Sequence, residues 1–350
     1  MKTVLLKHPT TIRTNKHSSP FSMKKLHTVL PLLLAAFTFS PSTVEACDPC
    51  ALFNATKLTE QSAGTFNLSL SEQLTSYEKA DTNVFSGQFT REYSTTQLTG
   101  SYQFAERWGG QIILPWVVRR FDEVERFRTD SETEDGFGDM VGLLTYTAYQ
   151  EASVDHALFV SLSAGVKFPT GDSGSIEEAG ITAETGTARG AESLAHHQIG
   201  ASTGLSGRVL SIGTGSYDFP LVAGISGRMD RLLLLAFAQY TVRTEGDFDY
   251  EFDDDLLWST SAGTFLLLHD DYSLAAQIAL SGEHKAKDTF NGASVPASDI
   301  SNLYLGPALV LTAIDRVVGE FALDLPVDTK EGDRRLEPEY RLRAALSYRF

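Results

Sequence analysis

The sequence predicts an all-β protein: a transmembrane, antiparallel, up-and-down β-barrel of about twelve strands that follows a cleaved signal peptide. Three observations lead to this fold class. Apolar side chains recur at every second position, most of the alternating segments exceed the usual strand length of about 5 to 6 residues, and the connections alternate between short and long. Hydrocarbon offers no hydrogen-bond partners, so a sheet can cross it only by closing on itself.

The last segment of the chain, residues 340–350, alternates between apolar and hydrophilic side chains, and its apolar positions contain no exception. The even positions carry apolar or aromatic residues: Tyr340, Leu342, Ala344, Leu346, Tyr348 and Phe350. Hydrophilic residues stand at odd positions: Arg341, Arg343, Ser347 and Arg349. A period of two predicts a strand with one face towards lipid and the other towards an interior.

The same criterion applied to the whole chain predicts both the strands and the loops. The predicted strands are 64–77, 91–104, 108–119, 136–149, 156–169, 215–229, 231–244, 255–268, 272–285, 301–314, 316–327 and 337–350. The long polar connections are 78–90, 120–135, 170–214, 245–254, 286–300 and 328–336. Short turns on one side and long loops on the other are typical of outer-membrane barrels.

The N-terminal part predicts export. Residues 1–46 contain a basic Met23-Lys24-Lys25, a short apolar run and a small-residue site ending at Ala46, the layout of a signal peptide. Residues 1–22 precede a second plausible start at Met23. Residues 47–63 are interpreted as a periplasmic or plug segment and 64–350 as the barrel, which predicts the outer membrane of a Gram-negative cell as the location.

Two cysteines follow the predicted cleavage site. Cys47 and Cys50 are candidates for a local disulfide, because disulfides persist in an oxidising compartment. A metal or redox role and lipidation of Cys47 remain alternatives. Haem attachment would require His after the second cysteine, and Ala51 stands there. We expect no cofactor.

The charge balance argues against nucleic acid as a partner. The chain has 29 Lys and Arg against 45 Asp and Glu, a formal net charge of −16. Binding to a polyanion through charge requires a basic face that displaces counterions. The predicted partners are instead outer-membrane lipid, lipopolysaccharide and a small-molecule solute.

Three motifs in the middle of the chain carry a family resemblance. They are Gly136-Phe137-Gly138-Asp139, Lys167-Phe168-Pro169-Thr170-Gly171-Asp172 and Gly213-Thr214-Gly215-Ser216-Tyr217-Asp218. In this order they resemble the outer-membrane family named for the MetA pathway of phenol degradation, over roughly residues 60–350. The resemblance implies an outer-membrane barrel of a kind often labelled a transporter, and it brings no catalytic residues and no defined substrate. The C-terminal Phe350 also resembles the C-terminal signal by which barrel-assembly machinery recognises its substrates.

The motifs also predict a charged cluster. Asp139, Lys167 and Asp218 lie near the loop ends of three predicted strands, and the alternation places all three side chains in the lumen. An unpartnered charge in a narrow lumen is costly, so we expect them to pair below loop 170–214. The cluster could hold strands in register, or it could act as a gate or ligand contact.

A second cluster is predicted near the C-terminus. Glu320 and Asp324 face the same side as Arg341, Arg343 and Arg349 on the next strand, which predicts cross-strand ion pairs in the lumen.

One loop has patterned acids. Asp247, Asp249, Glu251 and Asp253 alternate with aromatic residues, so a continuing strand would gather the acids on one face. Such a face could bind Ca²⁺ or Mg²⁺, which prefer oxygen ligands. The alternative is a solvated rim.

The sequence therefore favours a channel or transporter for a small, hydrophobic or aromatic solute, with Phe237 and Phe265 as candidate lumen residues. The alternative is a structural or surface-interaction barrel without transport. An enzyme is not favoured, because Ser281 and His284 are three residues apart on a strand and so face opposite sides.

Overall fold

The computed structural model describes residues 63–78, 88–125, 128–153, 155–176, 211–269, 271–295, 298–314, 316–331 and 337–350. The predicted signal region, nearly all of segment 47–63 and the cysteines Cys47 and Cys50 lie outside these residues. Within the described part, no helix has the length and apolar character needed to cross a membrane.

The described chain is dominated by β-strands. They are β1 Phe66–Glu78, β2 Gln88–Gln103, β3 Trp108–Glu125, β4 Arg128–Phe137, β5 Met140–Ala152, β6 His156–Phe168, β7 Phe219–Met229, β8 Leu232–Val242, β9 Tyr250–Glu251, β10 Asp255–Leu268, β11 Tyr272–Lys285, β12 Thr289–Phe290, β13 Ala293–Ser294, β14 Ile300–Ala313, β15 Val317–Glu331 and β16 Glu337–Arg349. A 3-10 turn, Asp247–Asp249, precedes β9.

The long strands close into a barrel. The main sheet has the order β2-β1-β16-β15-β14-β11-β10-β8-β7-β6-β5-β3-β4, and β2 also pairs with β3. β3 pairs with β5 along Trp108–Ile113 and with β4 along Trp116–Glu125, so β4 and β5 share one position in the wall. The described wall therefore has twelve antiparallel positions without a free edge. The predicted fold class is confirmed.

Strand β14 shows how the alternation places the side chains. Leu305, Leu309 and Leu311 point outward and are exposed, whereas Tyr304 and Val310 are buried in the lumen. The exposed apolar surface would be unfavourable in water by roughly 25 cal/mol per Å². In hydrocarbon the same surface carries no such cost, so the outward face fits a bilayer.

Exposed aromatic residues lie at both ends of the strands. Those at the turn side are Trp108, Tyr272, Tyr348 and Phe350. Those at the loop side are Trp116, Phe168, Phe219 and Tyr240. Two such belts are typical of the membrane–water interfaces of a barrel.

The predicted loop 120–135 is a β-hairpin instead. β3 continues to Glu125 and β4 begins at Arg128, with the ladder running from Trp116 opposite Phe137 to Glu125 opposite Arg128. This hairpin extends beyond the loop-side aromatic residues. Past the membrane no lipid contact requires apolar residues on the outer face, so the apolar alternation that marks the membrane strands is lost while the backbone pairing persists.

Candidate functional site

The lumen contains a cavity of ≈ 240 Å³. Its lining comes from strands all around the wall and combines apolar residues such as Phe159 and Phe237 with uncharged polar ones such as Gln73, Ser259 and Gln277. Arginines and acids of the second predicted cluster also contribute to it. The cavity is therefore amphipathic, with aromatic surface beside hydrogen-bonding groups.

An apolar layer lies on the turn side of this cavity. Leu233, Ala275, Val310 and Val318 form a buried cluster, and Phe265 packs against it. All five residues lie close to the turn ends of their strands. The layer lies on the side of the lumen where β1 begins and β16 ends.

The three residues of the first predicted cluster meet at the loop side. Lys167 Nζ lies 2.8 Å from Asp139 Oδ2 and 2.6 Å from Asp218 Oδ2, and all three side chains are buried. We call this set, together with Arg243 and Asp255, the rim network. Its role as gate or register pin stays a prediction.

Arg243 and Asp255 extend the rim network, and the sequence interpretation missed them. Arg243 Nη1 donates to Asp218 Oδ2 at 2.7 Å, and Arg243 Nε donates to Asp255 Oδ2 at 2.8 Å. Arg243 and Asp255 stand at the alternate positions whose side chains face the lumen. The same alternation placed Lys167 in the lumen. Pairing with several partners offsets the cost of burying these charges.

The three sequence motifs form one packing unit around Asp139. Asp139 Oδ1 accepts a hydrogen bond from Gly171 N at 2.9 Å, and Oδ2 accepts one from Thr214 N at 3.0 Å. Thr170 Oγ1 accepts from Met140 N at 2.8 Å and donates to the Gly138 carbonyl at 3.1 Å. The second and third motifs therefore bridge the interruption between β4 and β5, which the first motif creates.

Two motif glycines allow this close packing. A Cβ on Gly213 would lie 2.5 Å from the Gly171 carbonyl carbon, and one on Gly171 would lie 2.8 Å from Gly213 Cα. The strand predicted to start at residue 215 begins at Phe219 instead. Gly215 has a φ of 70°, and Thr214 and Ser216 are buried against the rim network rather than paired in the wall.

The second predicted cluster forms only in part. Arg343 pairs with Asp324 through Nε to Oδ2 at 2.8 Å and Nη2 to Oδ1 at 2.9 Å. Arg341 pairs instead with Glu283 of β11, and its Cζ lies 4.2 Å from the Tyr304 ring centroid. On the concave face of a barrel, side chains from strands that are not neighbours converge, and strand pairing alone does not reveal this.

Glu320 makes no direct ion pair in this cluster, and Arg349 lies away from it. Glu320 lines the cavity and lies opposite Ala345, and within the described ranges no ion pair joins it to Arg341 or Arg343. Arg349 is the last residue of β16, roughly 20 Å along the strand from Arg343 at 3.3 Å per residue.

The predicted metal-binding face does not form. Phe248 and Asp249 have φ values of 63° and 53°, so the backbone turns and Asp247, Asp249, Glu251 and Asp253 do not share one face of a strand. The described residues contain no group of three or more His, Cys, Asp or Glu that could hold a metal ion. The interpretation of this segment as a continuing strand is wrong.

That segment belongs to an apolar cluster on the loop side. Tyr250 and Phe252 are buried with Ile176, and Phe290 and Val295 pack against them. β9, β12 and β13 form a small separate sheet in the same region. This packing uses the rings of the patterned loop and leaves Asp247 and Asp249 exposed.

The closed, even-stranded wall, the apolar exterior and the largely polar lumen together define an outer-membrane β-barrel. Comparison with solved structures agrees with this class. An outer membrane channel from Pseudomonas putida F1 is similar, with a TM-score of 0.50 and 13% identity over 89% of this chain and 99% of that chain. This likeness shows a shared fold.

Two weaker similarities add nothing to this assignment. The transport unit of the autotransporter AIDA-I from Escherichia coli has a TM-score of 0.41 and 10% identity, over 86% of this chain and 94% of that chain. The translocator domain of the autotransporter NalP from Neisseria meningitidis has a TM-score of 0.39 and 10% identity, over 84% and 91%. No protein-family model and no curated protein matches the sequence.

Proposed function

We propose that this protein is an outer-membrane channel through which a small solute with apolar or aromatic surface passes along the lumen. The observation that carries the proposal is the ≈ 240 Å³ cavity inside a closed barrel. A cavity of about 150 Å³ is enough to hold benzene. The aromatic side chains Phe159 and Phe237 would contact the ring of such a solute, and serine and glutamine side chains would hydrogen-bond to its polar groups.

Two layers would control passage. On the loop side the solute meets the rim network, and on the turn side it meets the apolar layer around Phe265. An ion that crosses the apolar layer loses water there without gaining a polar partner, so the layer would lower the conductance for ions without abolishing it.

The similarities support a channel without identifying its solute. The P. putida protein is named an outer membrane channel, and the three motifs resemble the phenol-degradation family. Membership of that family stays a prediction, because no family model matches the sequence.

The proposed partners follow from the exposed surface. The apolar belt would contact outer-membrane lipid, and the loop side would face lipopolysaccharide. Phe350 would be the contact for barrel-assembly machinery; it is exposed and packs edge-on against Tyr348, with ring centroids 4.7 Å apart.

The alternative is a structural or surface-interaction barrel without transport. The observation in its favour is the dense rim network, whose buried charges occupy the lumen on the loop side.

Electrical recording separates the two functions. Purified protein in planar bilayers should show discrete single-channel openings in KCl. Ser259→Trp, which places a bulky ring in the cavity, should lower the conductance, whereas Ile278→Trp on the exposed outer face should not. Silence of correctly folded protein, or equal conductance of both variants, would favour the barrel without transport.

A further inference from the structure

Arg119 carries a buried guanidinium group on the inner face of the barrel. The residue is 2% exposed, near the loop-side end of β3. Its neighbour Arg120 lies on the opposite face of the strand and is half exposed. Arg120 Nη1 lies 3.3 Å from Glu92 Oε2. The contrast between two adjacent arginines shows that Arg119 points into the lumen.

Two donors of this guanidinium have no hydrogen-bond partner in the part of the chain that the structure describes. Arg119 Cζ lies 4.6 Å from the centroid of the Tyr93 ring, and the Tyr93 ring is 5.2 Å from that of Tyr77. Stacking on a ring uses the face of the guanidinium and leaves its N–H groups pointing sideways. Nη1 and Nη2 are buried, and neither has a hydrogen-bond partner among the residues that the structure describes.

A second unused polar group lies on the same row of the sheet. Thr75 is completely buried, and its Oγ1 also lacks a hydrogen-bond partner in the described ranges. Thr75 is directly opposite Tyr93, which is directly opposite Arg119, so the two groups are two strands or about 10 Å apart at the backbone. Both side chains are buried on the inner face, with Tyr93 between them in the row.

The neighbouring acid does not satisfy Arg119. Glu134 is opposite Arg119 in the ladder, but its Oε2 accepts a hydrogen bond from Ser175 Oγ at 2.6 Å. Leaving a buried donor unpaired is energetically costly, and more so when the group is charged. The described part of the lumen therefore holds two such donors and a hydroxyl that an acceptor on a bound solute could satisfy.

We propose that Arg119 and Thr75 bind the carboxylate of the transported solute, which would then be a small carboxylic acid in its anionic form. The inference rests on the proposed channel function and specifies its solute class. A carboxylate presents two acceptor oxygens that match the two parallel N–H groups of a guanidinium. Val117, two residues along the same face, lines a smaller cavity of ≈ 40 Å³ that also reaches Lys167. The carboxylate site therefore lies beside this smaller cavity, at the loop side of the lumen.

Binding to purified protein in detergent tests the proposal without requiring conductance. Benzoate is titrated by isothermal titration calorimetry at low chloride, with the neutral isostere benzamide as the ligand control. Wild-type protein should bind benzoate saturably and benzamide at least tenfold more weakly. Arg119→Gln should weaken benzoate binding at least tenfold, and Arg120→Gln, which changes the adjacent outward arginine, should leave it unchanged.

Two further variants keep the test decisive if Arg119→Gln does not fold. Arg119→Lys retains the charge but not the paired donors and should weaken binding severalfold, and Thr75→Val should weaken it while preserving the side-chain shape. Equal benzoate affinity of wild type and the Arg119 and Thr75 variants would overturn the inference, as would equal binding of benzamide. Silence in planar bilayers together with Arg119-dependent benzoate binding would overturn the channel function alone; conductance without benzoate binding would overturn the carboxylate site alone.

Discussion

Arg243 and Asp218 form an ion pair inside the barrel, with Nη1 2.7 Å from Oδ2 and side chains that are 1% and 0% exposed. The pair connects the end of β8 to the third sequence motif. Asp218 also forms an ion pair with Lys167, so one carboxylate compensates the charges of two buried cations.

Removing this carboxylate charge should destabilise the loop side of the barrel. Asp218→Asn leaves Lys167 and Arg243 with less compensation, and breaking a buried pair typically costs about 3 to 5 kcal/mol. Asp230→Asn, in an exposed turn with a φ of 50° that Asn tolerates, is the matched control. The temperature at which the folded band is lost in heat-modifiability gels should fall for Asp218→Asn only; an equal temperature for both would contradict the role of the rim network.

The close packing of the motif backbones predicts a glycine requirement. Gly213→Ala would place Cβ 2.5 Å from backbone atoms of Gly171, so the segment must shift and the hydrogen bonds to Asp139 should weaken. Gly319→Ala in β15, where the nearest atom is 4.0 Å from the added Cβ, should be tolerated. Protease cleavage of folded protein should accelerate only in Gly213→Ala, and similar digestion patterns would argue against this packing unit.

The outward face should reject charge. Leu309 is exposed on the outer side of β14, and Leu309→Arg should destabilise the barrel in lipid by about 2 to 4 kcal/mol if the position lies near the bilayer midplane. Leu309→Phe keeps apolar contact with the acyl chains and serves as the control. Folding yield into lipid vesicles measures the difference; normal yield for the arginine variant would show that this face does not contact lipid.

The apolar layer should limit conductance. Phe265→Ala removes a ring that packs against Leu233, Ala275, Val310 and Val318, so single-channel conductance should rise. Phe321→Ala removes an equal ring from the exposed outer face and should leave conductance unchanged. Identical conductance for the two variants would place the constriction elsewhere in the lumen.

The alternation of side chains made the wall predictable. Strands such as β10 and β11 have the predicted bounds, 255–268 and 272–285, because burial on one face and lipid on the other impose a period of two on the sequence. The hairpin of β3 and β4 was missed because it extends past the membrane, where no lipid contact imposes an apolar outer face and hence no such period.

The partners of the lumen charges were less predictable. Lys167, Asp139 and Asp218 meet as expected, because motif position and parity both placed them at one end of the lumen. Arg341 was assigned to acids of the neighbouring strand, yet it pairs with Glu283 across the lumen. The acidic residues of segment 247–253 were predicted to share one face of a strand. Positive φ angles at Phe248 and Asp249 turn the backbone there, so they do not.

Which side chains face lipid and which face the interior can be read from the amino-acid sequence, since that property follows from the two-residue repeat of a single strand. Which interior groups touch one another depends on the closed barrel. Closure of the barrel brings distant strands together across a concave face, and the segments 170–176 and 211–218 pack into it. A contact such as Arg341 with Glu283, whose strands are not neighbours in the wall, depends on that curvature rather than on any local repeat.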